Sequence, residues 1–215
     1  MMIPQTFVPS YSAYWIMKKL LIIFLLCIST GAVAQSFKGG YRIGLTGTQV
    51  HGDRLSGFDK AGLTGGFLVA IPLNQYSDLS LELLLVQKGS RKNPTKNDLT
   101  KYVMRLNYIE MPLLYQRKLK EHFGFETGLS FGVLLKNSEV EYDINGLIPA
   151  RPPFEKYELA GHLGFRYYLS DKKTVNLRFS SSLLPIRPFP DGYTYNYMDH
   201  GQYNLVLGLT YEQQF

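Results

Sequence analysis

Between Phe123 and Leu135 the chain alternates with a period of two. Phe123, Phe125, Thr127, Leu129, Phe131, Val133 and Leu135 share one parity, and Gly124, Glu126, Gly128, Ser130, Gly132 and Leu134 share the other. Successive side chains on a strand point to opposite faces, so the run predicts a strand with one broad apolar face and one small or polar face. A short charged turn, Leu119–His122, joins it to a preceding run, Tyr102–Lys118, in which Ile109, Met111, Leu113 and Tyr115 oppose Tyr108, Glu110, Pro112 and Gln116 and whose outer part is irregular.

The same alternation recurs in eight segments: Phe37–Val50, Ala61–Leu73, Leu79–Arg91, Tyr102–Lys118, Phe123–Lys136, Phe154–Leu169, Thr174–Leu183 and Gln202–Phe215. None carries a sustained 3.6-residue period. Most are at least as long as the ~9–11 residues of a tilted membrane-spanning strand. The connections after the second, fourth and sixth segments are short (Asn74–Asp78, Leu119–His122, Ser170–Lys173). The others are longer (His51–Lys60, Lys92–Lys101, Asn137–Pro153, Leu184–Gly201). Short turns at one end and long loops at the other are the signature of an outer-membrane barrel, although a soluble barrel with an apolar interior shares the hairpin order.

The charges decide which face is inside. Arg42, Glu82, Glu110, Glu126, His162, Arg166, Arg178 and Glu212 all lie on the polar face, too many for an apolar ligand cavity. Tyr41, Tyr115, Phe123, Tyr167, Tyr203 and Tyr211 lie on the apolar face near strand ends, as membrane girdles do. The expected fold is therefore all-β: an eight-stranded antiparallel up-and-down transmembrane β-barrel with a filled polar interior. An eight-stranded barrel is just wide enough for side chains to fill it. The eight inward residues are thus expected to form a structural pairing network, with Glu82 and Glu110 on adjacent strands sharing an arginine. A narrow proton or ion path is the functional alternative for the same residues.

Composition adds location. Lys18 and Lys19 precede the apolar run Leu20–Ile28, and Ala32-Val33-Ala34 follows. This is the pattern of a secretory signal, and the run is too short to span a bilayer as a helix. The expected division is residues 1–34 as an N-terminal extension plus cleaved signal (17–34 the signal proper, cut after Ala34) and 35–215 as the barrel. Cys27 is the only cysteine, so the exported chain would hold neither a disulfide nor a thiolate metal site. The formal charge of +6 falls to +4 without Lys18 and Lys19, and no dense basic run with interleaved aromatics points to nucleic acid.

Four stretches resemble the PorT-like outer-membrane β-barrel family (outer membrane protein β-barrel domain): L-E-L-L-L-V-Q-K-G-S at 81–90, N-Y-I-E-M-P-L-L-Y at 107–115, F-G-F-E-T-G-L-S-F-G-V-L-L at 123–135 and G-H-L-G-F-R-Y-Y-L at 161–169. The resemblance runs over essentially the whole exported chain, and Tyr108–Tyr115 is its most specific piece. It implies a barrel in a Gram-negative outer membrane and, through the family's namesake, an association with type IX protein secretion. The last strand, with Phe215 terminal and Leu207, Leu209 and Tyr211 in phase, resembles the signal read by the barrel-assembly machinery; Gln213 departs from it, where an apolar residue is usual.

Candidate chemistry is sparse. The histidines of the exported segment, His51, His122, His162 and His200, are not followed by the serine spacing of lipid A deacylases. No catalytic residue, metal site or cofactor is expected, and the His51/Asp53 and Asp199/His200 pairs read as solvated loop residues. The last long loop is rich in Pro and Tyr, with Tyr193, Tyr195 and Tyr197 as candidate binding residues, although tyrosine also suits an extended strand end. Three roles follow: a non-enzymatic accessory in envelope assembly or protein secretion, a surface recognition or adhesion protein using its loops, or a small-ligand binder or narrow channel. The expected partners are outer-membrane lipid, the barrel-assembly machinery during biogenesis, and an envelope or extracellular protein.

Overall fold

The computed structural model describes residues 37–53, 55, 57–96, 99–142, 152–189 and 201–215. The signal segment and Tyr193, Tyr195 and Tyr197 lie outside them. The described residues form eight long strands and one two-residue strand: β1 (Lys38–His51), β2 (Lys60–Asn74), β3 (Ser77–Lys88), β4 (Arg91–Lys92), β5 (Lys101–Lys118), β6 (Phe123–Tyr142), β7 (Tyr157–Ser170), β8 (Lys173–Ser182) and β9 (Tyr203–Gln214). Every pairing is antiparallel; the eight long strands pair in chain order, β3 with β5 past the short β4, and β9 pairs with β1 to close the barrel. Closure pairs each of the eight long strands on both sides, leaving none of them an open edge to lipid, which would not tolerate one.

The register sets the tilt. Following paired residues from Gly44 through Thr64, Val86 and Tyr108 arrives at Leu134 on β6. Going the other way, through Thr210, Asn176 and Arg166, arrives at Gly124 on the same strand. The two arrival points are ten residues apart. Such a shear over eight strands corresponds to strands tilted by about 40° and an interior that side chains can fill.

The distribution of side chains is the reverse of a soluble protein's. Phe67 is 71% exposed and Phe165 69%, while Arg42 is 1% exposed and Glu126 and Glu212 are wholly buried. Such an outer surface suits hydrocarbon. At the end with the tight turns, Tyr41–Phe215, Tyr115–Phe125 and Phe123–Tyr167 ring contacts form a girdle. That end is periplasmic and the long-loop end extracellular by the usual arrangement of these barrels.

Near the extracellular end the polarity inverts. Tyr102, Met104, Leu106 and Tyr108 of β5 point inward and pack with Val50 and Ile186 as a small apolar core, while Lys101, Arg105 and Asn107 face outward. The outer part of β5, irregular by its sequence, is therefore regular strand with its apolar and polar faces exchanged. A bulge between Asn107 and Tyr108 places both Leu135 and Lys136 on the outside and changes the parity of β6 beyond it. Several boundaries differ from the sequence expectation: β3 ends at Lys88 rather than Arg91, and β7 begins at Tyr157 rather than Phe154. β6 continues six residues past Lys136 to Tyr142. The connection expected over Lys92–Lys101 instead begins with β4, which pairs with the same strand as β3 after a kink at Gly89. There φ is +130° and a side chain would collide with the Met104 carbonyl.

Candidate functional site

The candidate site is the lumen, where charged side chains stand in three tiers. The first, nearest the periplasmic end, is a ring of three arginines and three glutamates drawn from six strands. Arg178 donates to Glu82 (2.9 and 3.1 Å) and to Glu126 (2.5 Å). Arg166 donates to Glu126 (3.1 Å) and to Glu212 (3.0 and 2.9 Å). Arg42 lies 2.6 Å from Glu212, 3.0 Å from Glu82 and 3.5 Å from Glu126, closing the circuit. The charges balance within the ring. Gln116, Asn176 and Gln214 add amide contacts to Glu126, Arg42 and Glu212. Gly164 leaves the room that Glu126 occupies, since a Cβ there would stand 2.9 Å from the Glu126 Cγ.

The second tier is built around Lys88. Its ammonium lies 2.5 Å from Glu110 and 2.9 and 3.0 Å from the two oxygens of Glu158. Ser182 and Asn204 donate to Glu158 at 2.6 and 3.2 Å, and the Tyr108 ring lies 5.1 Å from the ammonium. Glu82 and Glu110 therefore do not share an arginine, as adjacency suggested. Glu82 belongs to the ring and Glu110 to the lysine, because the residues lie at different heights along the barrel. Lys88 and Glu158 were not among the expected network residues, although both keep the inward parity of their strands: Lys88 with Glu82, Leu84 and Val86, Glu158 with Ala160 and His162.

The third tier caps the extracellular end. Arg187 is buried and donates to both carboxylate oxygens of Glu139 at 2.8 and 2.9 Å and to Gln202 Oε1 at 2.6 Å. Tyr102 also donates to Glu139, Gln202 donates to the Gly52 carbonyl at 3.1 Å, and the guanidinium lies 4.3 Å from the Phe154 ring. Backbone hydrogen bonds pair Ile186 and Arg187 with Gln202, so this part of the last long connection folds back over the opening. Beside it Asp53 accepts hydrogen bonds from the Ser90 hydroxyl and the Leu55 amide. Burial pushes the Asp53 carboxyl above its usual 3.8, and those hydrogen bonds only partly oppose the rise.

All eight inward residues singled out from the sequence are buried, but two stand outside the ring. Glu110 pairs with Lys88, and His162 Nε2 contacts Ser130 Oγ at 2.7 Å. The serine–histidine contact has the spacing of a nucleophile and its base. Among the described residues His162 Nδ1 meets no acid to orient it, and both side chains are buried inside the barrel. A cavity of about 30 Å³ lies between the first two tiers, bordered by Arg42, Thr46, Glu110, His162, Arg178 and Thr210. That space suits a water molecule or two and excludes an organic substrate. Among the described residues no group of three or more His, Cys, Asp or Glu side chains is arranged to hold a metal ion.

A closed eight-stranded barrel with an apolar exterior, a girdled periplasmic rim and a charge-filled lumen defines an outer-membrane β-barrel protein. Residues 33–214 match the family model described as outer membrane protein beta-barrel domain, and the chain belongs to that family. Among solved structures it is similar to Ail, the attachment invasion locus protein of Yersinia pestis, in complex with the heparin analogue sucrose octasulfate. Identity there is 12% and the TM-score 0.50, over 84% of this chain and 99% of that one. Neisserial surface protein A (10% identity, TM-score 0.48, covering 85% of this chain and 99% of that one) and OprG from Pseudomonas aeruginosa (13%, 0.39, 83% and 94%) also match. At such identities the likeness to Ail speaks to the fold alone. No curated protein matches the sequence.

Proposed function

We propose that this protein is a non-conducting, non-enzymatic member of the PorT-like group that acts as an accessory in envelope assembly or protein secretion in a Gram-negative cell. The observation that carries the reading is the lumen: among the described residues, tiers of paired charges and a folded-back cap fill the interior, which directs the reading to the extracellular rim. The resemblance of Tyr108–Tyr115 and the other quoted segments to the PorT-like family supports the accessory role. The Ala32-Val33-Ala34 site supports export with cleavage after Ala34, and the terminal strand ending in Phe215 supports insertion by the barrel-assembly machinery.

The experiment is deletion of the gene followed by quantitation of secreted proteins and envelope integrity, with crosslinked partners identified from the wild-type membrane. Loss of a defined set of secreted or surface proteins, together with a co-purifying envelope protein, supports the role; intact secretion and no envelope partner overturns it. Surface recognition is the second reading, favoured by the Tyr193, Tyr195 and Tyr197 cluster. Substituting all three removes partner capture without affecting insertion if that reading holds.

A further inference from the structure

Above the apolar belt, the exposed cations on the outside of β4, β5 and β6 include Arg91, Arg105 and Lys136. These three form a diagonal row. Arg91 pairs with Val103, two residues from Arg105, and Arg105 pairs with Ser138, two residues from Lys136. Diagonal neighbours of this kind lie about 7–8 Å apart, within joint reach of one polyanionic group for side chains as long as these. None of the three has an ion-pair partner among the described residues.

The row is close to level with the membrane. Lines of paired residues climb toward the extracellular end in the direction β3, β5, β6, gaining ten residues around eight strands. A line of constant height therefore falls back by little more than one residue per strand, and the row falls back by two. Its height is set along β6. From the Phe123 girdle to Lys136, at about 3.3 Å per residue and about 40° tilt, the rise is about 33 Å. That is just beyond the ~25–30 Å apolar band of such barrels, at the depth of headgroups. Beneath the row, Gln87 pairs with Asn107, and Leu85 with Ile109 and Val133 below them, so the surface passes from aliphatic through amide to cationic.

We propose that Arg91, Arg105 and Lys136 form a binding site for the phosphate groups of an anionic outer-leaflet glycolipid, whose acyl chains lie on the Leu85–Ile109–Val133 surface. The site uses charge complementarity and continuity with the lipid-facing wall. It rests on the outer-membrane placement of the barrel and is independent of the accessory role.

The test is native mass spectrometry of the detergent-purified full chain titrated with diphosphoryl lipid A, dephosphorylated lipid A, phosphatidylglycerol or sucrose octasulfate. The R91Q/R105Q/K136Q variant is compared with K118Q/K172Q/K173Q, which removes three cations at the opposite rim. Heat-modifiable gel mobility verifies that both are folded. The expected result is preferential retention of diphosphoryl lipid A, weakened roughly tenfold to a hundredfold in the first variant and little changed in the second. Equal retention of the dephosphorylated lipid or of phosphatidylglycerol, equal loss in both variants, or an unaffected R91Q/R105Q/K136Q protein overturns the assignment. So does sucrose octasulfate binding that needs these residues when lipid A binding does not.

Discussion

Arg178 on β8 and Glu82 on β3 reach one another from opposite walls of the barrel and join through two parallel hydrogen bonds of 2.9 and 3.1 Å. This pair ties together strands separated by four positions around the circumference, which the backbone ladder does not link directly. Removing one partner of a buried pair strands the other charge and costs about 3–5 kcal/mol. R178M is expected to fall in that range, because Arg178 serves both Glu82 and Glu126. The E82Q/R178M double variant is expected to lose less than the sum of the single losses, since the residues share one network. Urea unfolding in lipid vesicles measures both; strict additivity would show that the ring does not act as a unit.

Among the described residues, Lys88 is the cation that pairs directly with both Glu110 and Glu158. K88M is expected to be at least as destabilising as R178M, by about 3–5 kcal/mol, because Glu110 and Glu158 are left buried with each other. Adding E110Q and E158Q removes the repulsion and is expected to recover most of the loss in the same unfolding experiment. No recovery would mean that Lys88 acts through packing on Tyr108.

Arg187 latches the cap through Glu139 and Gln202. R187Q forfeits the bidentate charge-assisted contact, a local loss of about 1.5–3 kcal/mol. Protease added outside proteoliposomes should cut between Leu183 and Phe189 about tenfold faster or more, with the barrel still heat-modifiable. Unchanged cleavage would show that Ile186 and the apolar core hold the segment unaided.

The barrel was legible because a lipid-facing strand with a polar interior keeps one parity across the membrane, the parity on which Arg42, Glu82, Glu126, Arg166, Arg178 and Glu212 are buried. What escaped has a physical cause in each case. Lys88 and Glu158 had the right parity but stand near strand ends, where a charge reads as solvated. The outer part of β5 looked irregular because above the membrane water lies outside and a small core inside, which exchanges the faces. Glu139 lies beyond the bulge in β6, where the parity changes, and Arg187 sits in a connection whose inward fold no periodicity announces. Which glutamate meets which cation depends on height along tilted strands, and that needs the register.

Asp53 supplies a pH dependence at the extracellular end. Its folded-state carboxyl titrates above the usual 3.8, so the native state binds the proton more tightly than the unfolded chain. Its contribution is fully present below 3.8 and is lost as pH rises through the raised value. The Tm of wild type minus that of D53N should therefore fall as pH rises from 3.8 toward neutrality and then level off. A difference that is flat or rises with pH would contradict the burial of this carboxyl.

The lumen is closed by its own charges. Single-channel recording of the purified protein in a planar bilayer measures whether that closure holds. The wild type is expected to leave membranes silent across the usual voltage range. Resolvable, reproducible unitary currents from folded wild-type protein would contradict it and make the inner charges a conduction path.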